Sequence, residues 1–198
     1  MLDTALKNKR VVLASASPRR RELLGAITDS FEITTREVDE SLPSGIHPRE
    51  GVELLAVRKG RAVRDNLGDG CVIISADTLV EMDGKPLGKP QSIDEARRML
   101  RSLSGREHNV HTGTAVHYRG RVYSGVATTA VYFRELTDTE IDAYIATGEP
   151  MDKAGAYGIQ GGAGRFVESY RGDYDTVVGL SVRLLSELIF RALEDKNE

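Results

Sequence analysis

Several stretches of this chain set reactive or charged side chains where a fold could converge them. Ser15-Ala16-Ser17-Pro18-Arg19-Arg20-Arg21 follows the apolar run Val11 to Ala14 and opens a helical one. Backbone N–H groups at a helix start, the Ser15 and Ser17 hydroxyls and the planar guanidinium groups of Arg19 and Arg20 together favour a phosphate there. The same residues also make an ordinary N-cap, with Ser17 before Pro18, followed by solvated arginines. Ser75-Ala76-Asp77-Thr78 offers a carboxylate and a hydroxyl after an apolar run, the place where open α/β sheets carry catalytic groups. A satisfied turn aspartate explains that segment equally well.

Two glycine-bearing segments add cations and an amide. Gly84-Lys85-Pro86-Leu87-Gly88-Lys89-Pro90 falls one residue short of the phosphate loop G-x-x-x-x-G-K-[ST], and Pro90 stands where the metal-binding hydroxyl belongs, so a Walker ATPase is excluded. Lys89 can still be aimed into a cleft by the proline after it, or simply sit on a surface turn. From Glu149 to Gly164, five glycines are interleaved with Lys153, Tyr157 and Gln160. That pattern suggests close backbone approach to a ligand, with Gln160 able to read a base edge. The histidines offer less: His108 and His111 fall on opposite strand faces, His117 sits near a hairpin tip where it should be solvated, and no Cys/His spacing suits zinc.

The elements that position these residues follow from periodicity and punctuation. Strands are expected at Val11 to Ala14, Phe31 to Thr35 and Cys71 to Ser75, with a second apolar run over Leu79 to Met82, so that Asp77 lies between two strands at an element end. Helices are expected from Arg19 to Ile27, from Pro48 to Asn66, from Ile93 to Leu103 behind Ser92, and from Asp138 to Ala146 behind the Thr137/Glu140 capping box. A long hairpin joins Arg106–Tyr118 to Arg121–Phe133 through Arg119-Gly120. Val38 to Pro48 is irregular and acidic, and Lys153 to Gly164 reads as loop. Arg165 to Tyr170 reads as a strand, Val182 to Leu193 as an amphipathic helix, and the polar tail 194–198 should fray.

Composition bounds the class. The chain has 198 residues, 40% hydrophobic and 29% charged, which fits one globular domain, 1–198, with an ordered core of about 10–193. Its 27 Lys and Arg against 30 Asp and Glu give a net charge of −3, so no global field attracts nucleic acid or an anionic membrane. The single cysteine, Cys71, lies in an apolar run and cannot form an internal disulfide. No stretch approaches the ~20 apolar residues of a membrane span, and Met1 to Arg10 has no apolar signal core. A cytoplasmic protein is expected, and the sequence leaves a homodimer open. Strands interleaved with helices plus a long hairpin give an α/β protein with a mixed sheet, its loops around a cleft.

Taken together, Ala14-Ser-Ala-Ser-Pro-Arg-Arg20, Val38-Asp39-Glu40, Arg58-Lys59-Gly-Arg-Ala62, Ser75-Ala-Asp77-Thr78, Leu87-Gly88-Lys89-Pro90, Leu103-Ser-Gly105 with His111-Thr-Gly113, and Asp152-Lys153-Ala-Gly-Ala-Tyr-Gly-Ile-Gln160-Gly161 resemble the Maf family from about Val11 to Leu185. The resemblance implies an elongated mixed α/β fold like that of the inosine triphosphate pyrophosphatases, with two lobes around a central cleft. It also implies a nucleoside triphosphate pyrophosphatase in which water attacks the α-phosphorus, with a divalent metal, Mg²⁺ or Mn²⁺, required. The form of the Gln160 segment resembles members that act on dTTP and UTP. On this resemblance the general base falls on Asp77, specificity positions on Arg19, Thr78 and Gln160, phosphate-binding lysines on Lys59 and Lys89, and an acidic position associated with metal on Glu40. Ser15, Arg20 and Lys153 complete the expected substrate contacts. Two departures stand out: Gly60, where many relatives carry Ala and where Gly should soften a helix, and Ser181, where Pro is usual. The competing class is a nucleotide-binding regulator of cell division without turnover; a carboxylate beside the phosphates argues for the enzyme, since a mere polyanion binder gains nothing from it unless metal bridges the two.

Overall fold

In the computed structural model, which describes residues 2–195, the apolar runs form a seven-stranded sheet. The last three residues of the polar tail lie outside the described residues. In chain order the elements are α1 (Leu2–Leu6), β1 (Arg10–Leu13), α2 (Pro18–Gly25), β2 (Glu32–Ile33), α3 (Pro48–Leu67), β3 (Cys71–Met82), β4 (Lys85–Leu87), α4 (Ile93–Leu103), β5 (Glu107–Tyr118), β6 (Arg121–Phe133), α5 (Asp138–Ile145), β7 (Val167–Arg171), α6 (Tyr174–Val178) and α7 (Val182–Glu194). The sheet order is β2-β1-β3-β5-β6-β7, with β4 on β3. β1 runs parallel to β2 and β3, whereas β4 and β7 pair antiparallel with β3 and β6. This is the mixed α/β sheet expected.

The chain groups into two compact units. The first comprises Met1–Asp77, Thr112–Ala127 and Gly179–Glu198, and the second Thr78–His111 and Thr128–Val178. In the first, β1 and β3 are buried on both faces, which is why they read as unbroken apolar runs. Val11, Leu13, Val72, Ile74 and Ala76 pack with Leu24 of α2 and with Leu185, Leu188 and Ile189 of α7. Val12, Cys71 and Ile73 pack the other way, with Val63 of α3. Ser181 caps α7: it is fully buried and its hydroxyl accepts the Leu184 N–H at 3.3 Å, so the start of that helix is satisfied. The second unit packs α4, with Ala96, Met99, Leu100 and Leu103 inward, against Ile141 and Tyr144 of α5 and Phe133 of β6. Its helices start on the expected caps, Ser92 and the reciprocal Thr137/Glu140 box.

Four expectations are corrected. β3 does not break at Ala76-Asp77-Thr78; it continues to Met82, because nothing in that tripeptide supplies a turn and its backbone pairs along the sheet. The break comes at Asp83-Gly84, both at positive φ as a tight hairpin requires. Lys153 to Gly164, expected as loop, holds the 3₁₀ turn Ala154–Ala156 and the start of another, Gly162–Phe166, with a third, Glu149–Asp152, just before it. The polar lead contains α1, whose Leu6 is buried with α7 residues. His117, expected in solvent, is fully buried.

His117 also explains Gly60. On β5, Ala115 and His117 share the face that meets α3, and a Cβ on Gly60 would collide with the His117 ring and come within 2.6 Å of Ser75 Oγ. Gly60 therefore does more than soften a helix: it lets α3 lie close on β3 and β5. Burial, followed by the guanidinium groups of Arg64 and Arg61, pushes the His117 imidazole down to about 4, so it is neutral at physiological pH. Neither ring nitrogen makes a well-formed hydrogen bond among the described residues.

Gly60→Ala should therefore lower the melting temperature, although Ala in an open helix position would raise stability by up to ~1 kcal/mol. Overpacking of this kind costs ~1–3 kcal/mol, or several degrees for a chain of this length. His117→Ala should remove the larger part of the clash, so Gly60→Ala should cost less in a His117→Ala background than in the parent, with the Ser75 contact remaining. A single Gly60→Ala variant that melts higher than the parent contradicts the packing described here.

Candidate active site

Strand alternation determines which side chains of β3 meet α3. Cys71, Ile73, Ser75 and Asp77 share one face, and Ser75 Oγ donates to the Ala56 carbonyl of α3 at 2.7 Å. Asp77 is two residues further along β3, and its carboxylate accepts a hydrogen bond from Nζ of Lys59, which lies about one turn beyond Ala56 on α3. The same ammonium lies 2.8 Å from Glu40 Oε1. The Lys59 and Asp77 side chains are only 20% and 14% exposed, so this pair is far less screened than a surface ion pair.

Glu40 comes from the irregular acidic segment, and the structure shows what holds it. Arg58, the residue before Lys59, donates through one guanidinium nitrogen to the Asp39 carbonyl at 3.1 Å and the Ser41 carbonyl at 2.6 Å. Asp39 in turn accepts the Ser41 N–H at 2.8 Å and the Ser41 hydroxyl at 2.7 Å. Those bonds hold the Asp39 carboxyl below its usual range. A cavity of about 860 Å³ opens beside this segment, lined by Thr35, Arg36, Glu37, Val38, Glu40 and Lys59.

The Ser15 turn belongs to the same unit. Ser15 is buried, and its hydroxyl accepts the Ser17 N–H at 3.2 Å and an Arg20 guanidinium N–H at 3.3 Å. Arg20 also donates Nε–H to the Gly179 carbonyl at 2.8 Å. Burial lowers its pKa, opposed by the carboxylates of Asp77 and Glu40, so all three charges belong to one electrostatic cluster. Ser17 caps α2 as expected, through the Arg20 N–H. Arg19 is half-buried and pairs with nothing among the described residues. The first unit thus brings together Ser15, Arg20, Glu40, Lys59 and Asp77.

Thr78, Lys89, Lys153 and Gln160 belong to the second unit. Thr78 follows Asp77 on β3 and by alternation takes the opposite face. Lys89, in the loop after β4, is exposed and without a side-chain partner among the described residues. That loop meets the Gly-rich segment where the Gly155 N–H donates to the Gly88 carbonyl at 3.0 Å. Tyr157 is buried, and its hydroxyl lies 2.8 Å from His108 Nε2, with its ring edge-on to Phe133. It anchors the segment, and Gln160 stays exposed on the turn beyond. Lys153 is mostly buried and engaged within the segment, donating to the Glu149 carbonyl at 2.9 Å and the Asp152 carboxylate at 2.6 Å.

Two residues were passed over in the sequence. Arg58 stood in a quoted motif, but a helical arginine carries no signal of the loop it will tether. Glu149 stood in front of the glycines, where its partners come from α5 and from thirteen residues on.

Among the described residues, no helix is long and apolar enough to cross a membrane. A profile of the Maf-like protein family matches residues 10–192. A dTTP/UTP pyrophosphatase of Thermococcus kodakarensis is 51% identical over 90% of this chain and 94% of its own length. A protein of the same name from Moorella thermoacetica is 51% identical over 91% and 93%, and one from Bacillus cereus 45% identical over 91% and 94%. A dITP/XTP pyrophosphatase structure from Mycobacterium abscessus shares 14% identity over 92% of this chain and 95% of its own at a TM-score of 0.44, too distant to carry an argument. With a family profile across nearly the whole chain and relatives half identical over nine-tenths of it, the chain belongs to the Maf family.

Proposed function

We propose that this chain is a nucleoside triphosphate pyrophosphatase that hydrolyses dTTP and UTP to the monophosphate and pyrophosphate. The observation that carries the reading is the Lys59 ammonium held between the carboxylates of Asp77 and Glu40 beside an open cavity. Hydrolysis between the α- and β-phosphates needs a base for water and cations for the leaving pyrophosphate. Asp77 is fixed by the strand face that carries it, and its carboxylate takes the proton as water attacks the α-phosphorus. Lys59 orients that carboxylate and places positive charge where phosphate oxygens would lie. Ser15, with Arg19 and Arg20, supplies hydroxyl, backbone and guanidinium donors for the phosphates.

The names of the relatives, all dTTP/UTP pyrophosphatases, support the substrate class. For Lys89, Thr78 and Gln160 the roles rest on the family motif and, for Lys89 and Gln160, on side chains that are exposed and, among the described residues, without a hydrogen-bond partner. Lys89 takes phosphate oxygens, while Thr78 and Gln160 read the nucleoside. The Gln160 amide offers a donor and an acceptor, matching the N3–H and adjacent carbonyl of thymine or uracil. Lys153 contributes to the substrate site as part of the segment that carries Gln160.

The donor set also fits a divalent cation. Among the described residues no three His, Cys, Asp or Glu side chains converge on one point, but Glu40 and Asp77 already share a cation, the Lys59 ammonium. Two carboxylates completed by substrate phosphates and water are what Mg²⁺ or Mn²⁺ takes. When bound, such an ion would polarise the phosphoryl oxygens and neutralise developing charge. A regulator that only binds nucleotide has no use for a carboxylate poised to take a proton from water, which is the role assigned here to Asp77. A reduced, buried Cys71 suits the cytoplasm.

Asp77→Asn should still fold and bind nucleotide, with a lowered melting temperature because Lys59 loses a shielded partner, yet lower kcat by ~10²-fold or more, because an amide cannot accept the proton. Near-normal turnover in that variant contradicts the assignment. Lys59→Ala and Lys89→Ala should each raise KM or lower kcat at least ~10-fold, as loss of a charge-assisted phosphate contact does. The parent's kcat/KM should fall with added salt more steeply than that of either variant. Unchanged kinetics in both would make them ordinary surface lysines.

A further inference from the structure

The turn that presents Gln160 is held from both sides. It closes through the Gly161 N–H on the Gly158 carbonyl at 3.1 Å, which leaves Ile159 and Gln160 as its central residues. On the Gly161 side stands Glu149, whose carboxylate accepts the Tyr144 hydroxyl at 3.0 Å and the Gly162 N–H at 3.0 Å. It sits so close that a Cβ on Gly161 would come within 2.8 Å of Oε2 and collide with Oε1. On the Gly158 side lies the stem of Lys153, whose Cδ and Cε would be 2.8 Å from a Gly158 Cβ. The Lys153 ammonium donates back to the Glu149 carbonyl, so both supports share one residue.

Tyr144 is a rigid anchor. It is fully buried, edge-on to Phe166 at 5.3 Å, and burial, with Glu149 beside it, raises its pKa so that the phenol keeps its proton and donates. A glycine-rich turn left alone samples many conformations, and fixing it costs backbone entropy that its supports must offset. A side chain that must match a base edge needs placement to within roughly 0.5 Å. Here the glycines allow a carboxylate and a lysine stem to press directly on the turn's backbone.

We propose that Glu149 is a positioning residue for Gln160, and that selectivity for the pyrimidine nucleotides passes through its carboxylate. This rests on the reading of Gln160 as the base reader.

The test is a double-mutant cycle read as kcat/KM across dTTP, UTP, CTP and GTP for the parent, Gln160→Ala, Glu149→Ala and the double variant. Gln160→Ala should erode the preference for dTTP and UTP. Glu149→Ala should erode the same ratio by at least ~10-fold, mainly through KM, and the double variant should lose no more than Gln160→Ala alone. Glu149→Gln, which keeps an oxygen for the Gly162 N–H, should restore most of the ratio. Additive losses in the double variant, or a Glu149→Ala variant that slows every nucleotide equally, overturn the proposal. If Gln160→Ala itself leaves the ranking unchanged, the base-reader reading fails and takes this one with it. Should Glu149→Ala not fold, Tyr144→Phe, which removes one donor to the carboxylate, must shift the ratio in the same direction; an unchanged ratio overturns the proposal.

Discussion

One ammonium group organises the first unit. Lys59 Nζ holds Asp77 and Glu40 together, two carboxylates from a sheet strand and an irregular segment that would otherwise repel. Removing a partner from a pair this shielded leaves a charge uncompensated, at a cost far above that of a surface ion pair. Its placement depends on the residues on either side. Arg58 ties down the segment that carries Glu40, and Gly60 lets α3 lie against His117 and Ser75, so that Lys59 reaches β3. Three consecutive residues thus tether, bridge and make room.

The second unit solves a different problem by different means. A neutral amide that reads a base gains little from nearby charge and much from fixed geometry. The Gly-rich segment supplies it through fixed hydrogen bonds: a buried one between Tyr157 and His108, and those of Glu149 with the Tyr144 hydroxyl and the Gly162 N–H. The glycines permit contacts that a methyl group would prevent. Charge positions the proposed base, whereas shape and hydrogen bonds position the proposed reader.

Much of this was legible in the sequence. The helices behind Ser92 and Thr137 and the β5–β6 hairpin carry their own caps and turn residues, and they form where those signals stand. Asp77, Lys59 and Glu40 could be picked out by motif. What stayed hidden was long-range. The unbroken course of β3 through Asp77 depends on pairing along the sheet, and without it the shared face of Ser75 and Asp77 cannot be deduced. His117 looked like a tip residue because position along a hairpin says nothing of the helix packed over it. Gly60 was ambiguous for the same reason, since its meaning lies in a ring 57 positions away. Arg58 acts on backbone carbonyls, and Glu149 on a backbone N–H together with a hydroxyl from α5, which no local side-chain pattern records.

If Asp77, held by Lys59, directs water at the α-phosphorus, hydrolysis of dTTP or UTP in ¹⁸O-water must leave its label in one product. Resolved by mass, the nucleoside monophosphate should carry one ¹⁸O and the pyrophosphate none. Label in the pyrophosphate would place the attack on the β-phosphorus, and labelled inorganic phosphate would place it on the terminal one; either result rules out the role given to Asp77.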